Sequence, residues 1–176
     1  DIFLIGNGDG RVYALKVTDG SQVWEFATRD RVWATPVVVD GTVYIASLDH
    51  RLYAVDLKTG VEQWQLEVEG AIAGTPVYVQ GHLWVGDFAS TLYQVDLDSH
   101  SVSWTFEADN WLWATPLVAG RVLYVADVGG NVYALDTETR TMVWEAPVSV
   151  GDVVRGRPAL AKDGSLLYVP GYEKGQ

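Results

Sequence analysis

Hydrophobic and polar residues alternate along this chain in short runs that recur every 40 residues. In the unit that begins at Thr35, glycine or aspartate turns separate four apolar runs. β-branched and aromatic residues dominate these runs, which are too short for helices. The pattern therefore predicts four antiparallel strands in each unit, here at Pro36–Val39, Val43–Ala46, Leu52–Val55 and Glu62–Leu66.

Three residue types keep the 40-residue period, with the last proline displaced to a step of 42. They are Trp24, Trp64, Trp104 and Trp144; Tyr13, Tyr53, Tyr93 and Tyr133; and Pro36, Pro76, Pro116 and Pro158. Four short strands in about 40 residues are typical of a β-propeller blade. We predict an all-β propeller, and rank a parallel solenoid lower because it needs no hairpin turns.

The residues that recur at the same place in each repeat unit have structural explanations. Mid-strand tyrosines can fill the space between adjacent sheets. The periodic tryptophans fall in the fourth, outermost strand of each unit, where an indole can pack on the next blade and donate its N–H to a backbone carbonyl. Asp56, Asp96 and Asp136 each open a turn and can accept backbone N–H groups. Gly20 and Gly60 close the same turn at an expected positive φ.

The chain is predicted to be one propeller domain over residues 1–176, with repeat units at about 1–34, 35–74, 75–114, 115–156 and a partial 157–176. The pattern contains five second strands but four of every other kind, which makes 17 strands, one more than four complete blades need. The simpler interpretation is about four blades of a larger ring, cut inside a blade at both ends. The alternatives are a small ring or an oligomer of partial rings.

Composition narrows the classes of partner. The apolar fraction of 48% is that of a globular protein, and the formal net charge of −11 argues against nucleic acid and against an anionic membrane surface. There is no cysteine, so disulfides and thiolate metal sites are excluded. No apolar run approaches the ~18 residues of a membrane span. The opening residues, DIFLIGNGDG, lack the basic segment of an export signal.

Two segments resemble the tryptophan-docking motif of the PQQ-like (pyrroloquinoline quinone repeat) β-propeller family: AVDLKTGVEQW at 54–64 and ALDTETRTMVW at 134–144. The resemblance covers essentially the whole chain. The copies depart from the motif at Lys16, Gln94, Ser99, His100 and Arg140. The family includes quinoprotein dehydrogenases and non-enzymatic propellers such as the lipoprotein of the outer-membrane β-barrel assembly machinery. The repeats of this chain are closer in style to those of the non-enzymatic propellers. That resemblance implies an extracytoplasmic location (periplasmic, cell-surface or secreted) and a larger ring.

The loop between blades contains positions whose residues differ strongly from one repeat unit to the next. We call a set of equivalent positions a column. One column contains Arg31, Ala71, Trp111 and Val153; another contains Trp33, Ala73, Trp113 and Arg155; the column between them is always apolar. A fixed buried hole cannot accept both Trp and Ala, because that exchange costs about 3–5 kcal/mol. We therefore expect these tryptophans to be partly exposed at the mouth of the channel, as a surface for a protein partner or a glycan.

The residues predicted to bind the partner come from this loop and its neighbours: Trp33, Trp111, Trp113, Arg31, Arg155, Asp109, Asn110, Phe88 and His50. Asp87 and Asp127 occupy equivalent positions and are secondary candidates for a cation such as Ca²⁺. Pairing of these carboxylates with Arg155 and Arg157 is the alternative. No other metal site is predicted.

The sequence favours a binding scaffold without catalytic residues or cofactor. His50, His82 and His100 lie in separate turns with no serine or cysteine partner at a catalytic spacing. The alternative is a fragment of a PQQ-dependent dehydrogenase. For that class the resemblance implies a tryptophan floor (Trp113 or Trp33), Ca²⁺, an aspartate base and a vicinal cysteine pair. The cysteine pair does not exist in this chain.

Overall fold

The computed structural model describes residues 1–172, which form 17 β-strands in five antiparallel sheets. The first blade contains β1 (Ile2–Gly6), β2 (Arg11–Lys16) and β3 (Gln22–Ala27). The second contains β4 (Val37–Val39), β5 (Thr42–Ala46), β6 (Arg51–Asp56) and β7 (Glu62–Glu67). The third contains β8 (Val77–Val79), β9 (His82–Gly86), β10 (Thr91–Asp96) and β11 (Ser101–Glu107). The fourth contains β12 (Leu117–Ala119), β13 (Val122–Ala126), β14 (Asn131–Asp136) and β15 (Val148–Ser149), and the fifth sheet contains β16 (Ala159–Leu160) and β17 (Leu167–Tyr168).

Each sheet is a meander in which strands adjacent in sequence pair antiparallel. This confirms the predicted all-β fold of four-stranded blades. Among residues 1–172, no innermost strand pairs with β1 in the first blade, and the fifth sheet contains two strands, the inner ones. None of the described residues forms a helix able to cross a bilayer.

The fourth outermost strand differs from the expected one around Trp144. It begins in the periodic register, with a bridge between Leu135 and Met142, and then loses regular pairing. Strand β15 pairs Val132 with Val148, whereas the 40-residue period places Ala146 opposite Val132. Two extra residues are therefore accommodated here, beside Pro147, which has no N–H to donate to the ladder. The same insertion explains why the last proline follows after 42 residues.

The hydrophobic core lies between adjacent sheets. Val12, Ala14, Trp24 and Val32 of the first unit pack on Val43, Ile45, Tyr53 and Val55 of the second blade, and similar clusters join each later pair of sheets. The apolar column of the interblade loops is buried as predicted: Val32, Ile72, Leu112 and Val154 are at most 2% exposed. Consecutive blades therefore cover the faces that they turn toward each other.

A ladder of threonines ties the innermost loops together. The backbone N–H of Thr35 donates to Oγ1 of Thr75, and that of Thr75 donates to Oγ1 of Thr115, both at 3.0 Å. The repeated Thr-Pro pair thus links each blade to the next near the axis. Arg157 occupies the following position and has no hydroxyl to continue the ladder.

The hydroxyl groups of the periodic tyrosines also take part in hydrogen bonds. The set of bonds that joins a carboxylate, the tyrosine hydroxyl and a backbone N–H is called the relay below. The hydroxyl of Tyr133 donates to Oδ2 of the buried Asp127 at 3.0 Å and accepts the backbone N–H of Asp109 at 2.9 Å. Tyr93 and Asp87 form the same pair at 3.1 Å in the third blade. Burial raises the pKa of the Tyr133 hydroxyl, and the Asp127 charge adds to the effect.

In the first two blades the carboxylate comes from a different position of the turn. Tyr13 donates to Asp9 and Tyr53 to Asp49, both at 2.6 Å, and these aspartates lie two residues after the column that contains Asp87. Four blades therefore keep one tyrosine–carboxylate bond with the acid at two alternative positions.

The packing of the periodic tryptophans changes from one interface to the next. Nε1 of Trp24 donates to the carbonyl of Leu57 at 2.9 Å. A Cβ atom added to Gly60, which has φ +70°, would lie 2.7 Å from the Trp24 ring, so this glycine is required by both contact and conformation. At the next interface His100 replaces the glycine at φ 54° and stacks on Trp64, with 4.8 Å between centroids.

Replacement of Tyr133 by Phe tests the relay. The change leaves Asp127 buried with one donor fewer and the N–H of Asp109 without its acceptor. We expect the free energy of unfolding to fall by about 1.5–3 kcal/mol. Urea titration measures it, with Tyr78→Phe as the matched control, because Tyr78 is 43% exposed. Equal losses in the two variants would contradict a structural role for the relay.

A second prediction concerns acid stability. Backbone N–H groups of Thr139 and Glu138, together with the guanidinium of Arg121, lower the pKa of Asp136 to about 2. The unfolded chain titrates this carboxyl near pH ~3.9. The lowered folded pKa means that the stabilisation is present above about pH 4 and is lost as the pH falls toward about 2.

Asp136→Asn should therefore lower the melting temperature at about pH 6, and the difference from wild type should shrink near pH ~2.5. Asp98→Asn, at an exposed residue of the corresponding turn in the third blade, serves as the control. A difference that is independent of pH would contradict the assignment.

Candidate functional site

Two sets of loops lie side by side at one end of the sheets. In every unit after the first, the loop that follows the second strand donates a backbone N–H to the preceding interblade loop. These bonds join Leu48 to Arg31, Phe88 to Ala71, Val128 to Trp111 and Tyr172 to Val153, at 2.9–3.0 Å. The variable positions of the interblade loops are thus held on one surface by main-chain hydrogen bonds, which do not depend on the side chains.

Aromatic side chains from these loops form one continuous group, which we call the aromatic cluster: Trp33, Phe88, Trp111, Trp113, Arg155 and Tyr172. Trp33 stacks on Trp113 with ring centroids 5.4 Å apart and planes 22° apart. Phe88 contacts Trp113 at 5.0 Å and stacks on Trp111 at 5.3 Å. Trp113 is the hub, because it contacts two other rings and a cation.

The Trp33–Trp113 stack spans two blades. These indoles come from equivalent positions of loops 80 residues apart, and the loop between them has Ala73 at the same column. Ala73 is 7% exposed, and its methyl group is much smaller than an indole. The stack therefore joins two interblade loops that are not consecutive along the chain.

Arg155 closes the cluster on its other side. Its Cζ atom lies 4.8 Å from the centroid of Trp113 and 4.6 Å from that of Tyr172, a distance at which the cation is attracted to both rings. Trp33 is 46%, Trp111 53% and Tyr172 65% exposed. The cluster is therefore a preassembled surface with free ring area.

Tyr172 was missed by the sequence analysis. It occupies the same column as Phe88 and Val128, as its bond to Val153 shows. The hairpin between β16 and β17 is two residues longer than its equivalents, because Ala159 pairs with Tyr168 whereas Leu117 pairs with Tyr124. Allowing for this insertion would have aligned the tyrosine.

Four of the predicted binding residues lie outside the cluster. Asn110 donates to Asp127 and Asn131 donates to Asp109, both at the long distance of 3.5 Å, so these polar residues fasten the loop itself. Arg31 and His50 are exposed. Within residues 1–172 no hydrogen bond or ring contact joins their side chains to the aromatic cluster.

The two carboxylates considered for a cation serve as acceptors of protein hydrogen bonds. Asp87 accepts the N–H groups of Gly70, Ala89 and Thr91 as well as the Tyr93 hydroxyl. Asp127 is fully buried and likewise accepts bonds from its own turn.

A cation at either carboxylate would have to displace these donors. Over residues 1–172 no three His, Cys, Asp or Glu residues are grouped closely enough to hold a metal. The alternative ion pairs with Arg155 and Arg157 are not formed in this part of the chain.

The dehydrogenase alternative requires a tryptophan floor for pyrroloquinoline quinone, and such a floor needs a free indole face. Trp113 is a poor candidate because it contacts Trp33, Phe88 and the Arg155 guanidinium. Trp33 stacks on Trp113 and is 46% exposed. The carboxylates that would serve the ion are already engaged with protein donors.

A separate cavity of about 240 Å³ lies between the third and fourth blades. Trp84, Gln94, Thr137 and Arg140 border it, and all four depart from what the other blades carry at those positions. Nε1 of Trp84 is a buried donor with no partner in the described part of the chain. Gln94 and Arg140 are two of the residues that depart from the tryptophan-docking motif in the sequence.

Because Trp113 makes more contacts than Trp111, replacing these two tryptophans should lower the stability of the protein by different amounts. Trp113→Ala removes two ring contacts and one cation–π contact, and should lower the free energy of unfolding by about 1–3 kcal/mol. Trp111→Ala removes a single ring pair and should cost about 0.5–1.5 kcal/mol. Chemical denaturation and near-ultraviolet circular dichroism measure both. A larger effect at Trp111 would contradict the arrangement.

Comparison with known proteins agrees with the propeller fold. No curated protein matches the chain. Among 1397 matching chains of solved structures is BamB from Moraxella catarrhalis, which is 18% identical, with a TM-score of 0.65. The alignment covers 97% of this chain and 67% of that one, and at this identity it shows the fold alone. The family described as outer membrane protein assembly factor BamB matches residues 1–73 and 66–175. This chain therefore belongs to the BamB family of PQQ-like β-propellers, the family that its tryptophan and glycine spacing resembles.

Proposed function

We propose that this chain is a non-catalytic scaffold that binds a protein partner through the aromatic cluster and serves outer-membrane protein assembly in the cell envelope. The observation that carries the proposal is the preassembled, half-exposed cluster on loops that the propeller holds rigidly. Family membership supports the assembly role and the extracytoplasmic location.

The composition of the cluster favours a protein partner. Tryptophan, tyrosine and arginine supply most of the energy at protein interfaces. Because the rings already stack on one another, little conformational entropy remains to be lost on binding. A sugar needs a flat open indole face, and Trp113, at the centre of the cluster, is contacted by Trp33, Phe88 and Arg155, so only Trp33 and Trp111 could offer one.

The surroundings of the histidines support a non-catalytic role. His100 stacks on Trp64, and His82 lies with Nε2 3.4 Å from Asp96. His50 is exposed in its turn. Each histidine thus has a local environment apart from the aromatic cluster, and a general base has to lie within reach of the reacting group.

Site-specific photocrosslinking in envelope vesicles of the native cell tests the proposal. A crosslinker at position 111 should capture a component of the outer-membrane assembly machinery, and one at position 61, an exposed valine outside the cluster, should not. Trp33→Ala with Trp113→Ala should weaken binding of the captured protein about tenfold or more.

Val38→Ala, at a 46% exposed site on the innermost strand, is the matched control. Unchanged binding by the double tryptophan variant would remove the cluster from the proposal. Binding of envelope oligosaccharides, with no protein captured, would replace the protein partner by a glycan.

A further inference from the structure

The interface between the third and fourth blades contains a row of side chains that no other blade repeats. Trp84 of β9, Gln94 of β10 and Trp104 of β11 lie directly opposite one another, so they share one face of the sheet. Trp84 packs with apolar residues of the fourth blade, which places this face at the interface. Gln94 is 3% exposed, and its equivalents in the other blades are alanines: Ala14, Ala54 and Ala134.

A turn of the fourth blade brings two more polar residues to the cavity of about 240 Å³ at this interface. Thr137 is 8% exposed and occupies the position that Leu57 and Leu97 occupy in the preceding blades. Arg140 occupies the position at which the first two blades have glycine, and it keeps the left-handed conformation, with φ 61°. That conformation is unfavourable for any residue with a Cβ atom. The polar residues around the cavity are therefore not imposed by the repeat.

Hydrogen-bond donors without partners border the cavity. Trp84 is fully buried, and its Nε1 atom has no partner among residues 1–172. Nε1 of Trp24, by contrast, donates to the carbonyl of Leu57. The side-chain oxygen of Gln94 accepts the hydroxyl of Ser103 at 3.0 Å, and its amide nitrogen forms no hydrogen bond within the described part of the chain. Because an unmet buried donor costs stability, we infer that the cavity is made for an acceptor.

The charged side chains around the cavity leave one cation free. Glu138 pairs with Arg121 at 3.2 Å, and Nε2 of His82 lies 3.4 Å from a carboxylate oxygen of Asp96. The guanidinium of Arg140 forms no ion pair with residues 1–172. The groups left for a ligand are two neutral N–H donors and one positive charge. Such a set suits an acceptor that carries a single negative charge.

The size and lining of the cavity limit the ligand further. Its volume lies below the roughly 300–1,000 Å³ of pockets that hold drug-sized molecules. Val79 and the ring of Trp84 supply apolar surface beside the donors. A ligand that uses both kinds of surface has a small anionic group and a short hydrocarbon chain.

We propose that this cavity binds a small organic carboxylate. The guanidinium of Arg140 and the amide of Gln94 hold the carboxylate, and one of its oxygens accepts the N–H of Trp84. A guanidinium and a carboxylate match in shape and form two parallel hydrogen bonds. Phosphate would bring additional negative charge beside Glu138, where the described residues supply no second free cation.

The cavity lies apart from the aromatic cluster. It is bordered by the turn that joins β8 to β9 and by the turn that follows β14. In an antiparallel meander these turns lie at the opposite end of the blades from the loops that carry the cluster. The proposal therefore goes beyond the proposed function and does not depend on it.

Nuclear magnetic resonance of the chain with nitrogen-15 in its tryptophans tests the site, with sodium butyrate as the probe at constant ionic strength. Trp84→Tyr, the residue type of the second and fourth blades at this position, identifies which of the eight indole N–H signals belongs to Trp84. Butyrate should shift that signal saturably, with a dissociation constant of about 1 mM, and should leave the signals of Trp111 and Trp113 in place. Butyramide, which is similar in size but uncharged, should bind at least about tenfold more weakly.

Arg140→Gly separates binding from folding. Gly20 and Gly60 have positive φ at this position, so the variant should resist urea at least as well as the wild type. It should nevertheless bind butyrate at least about tenfold more weakly, because the charge is lost. Lys58→Ala removes a positive charge from the corresponding, exposed turn of the second blade and should bind like the wild type.

Three results would overturn the proposal. The first is a Trp84 signal that does not move at about 20 mM butyrate, roughly 20 times the expected dissociation constant. The second is equal binding of butyrate by Arg140→Gly and the wild type. The third is binding of butyramide, or of inorganic phosphate, as tight as that of butyrate, which would exclude a carboxylate as the preferred ligand.

Discussion

A blade of this protein cannot bury its own faces, and the rest of the structure follows from that constraint. Val43 and Ile45 are fully buried because Val12, Trp24 and their neighbours in the first unit cover them. Phe3 and Ile5 have no such cover among residues 1–172 and are exposed there. Stability in such an array is close to a sum over neighbouring interfaces. Each interface therefore selects the same residues, and the sequence repeats with the spacing of the blades.

The constant core is what allows the neighbouring positions to vary. Val32, Ile72 and Leu112 hold each interblade loop in the core, while main-chain bonds to the adjacent loops fix its path. The residues on either side of that anchor can then change without loss of the fold. This freedom allows Trp33 and Trp113 to meet above Ala73, and Arg155 to complete the cluster.

The fold could be predicted from sequence because its determinants are local and repeated. Strand lengths, turns and the buried column all follow from alternation within one unit. The break in the fourth outermost strand could not be predicted from the period, because two extra residues beside Pro147 interrupt it. The site was predicted in part: exposure of Trp33 and Trp111 followed from column variation, whereas their contacts depend on loops far apart in sequence. Asp87 and Asp127 stayed open between two roles in the sequence because a turn acceptor and a cation ligand offer the same oxygens; their protein donors became visible only in the structure.

The two positions of the tyrosine-bound carboxylate bear on how this repeat diverges. Tyr53 keeps its partner with the acid at Asp49, and Tyr133 keeps its partner with the acid at Asp127, two residues earlier in the turn. An ancestral blade can therefore gain the second acid before losing the first, and never pass through an intermediate that lacks the bond. When the four blades of this chain are aligned on either aspartate alone, two of them lack the acid at that position, although the tyrosine hydroxyl donates to a carboxylate in all four.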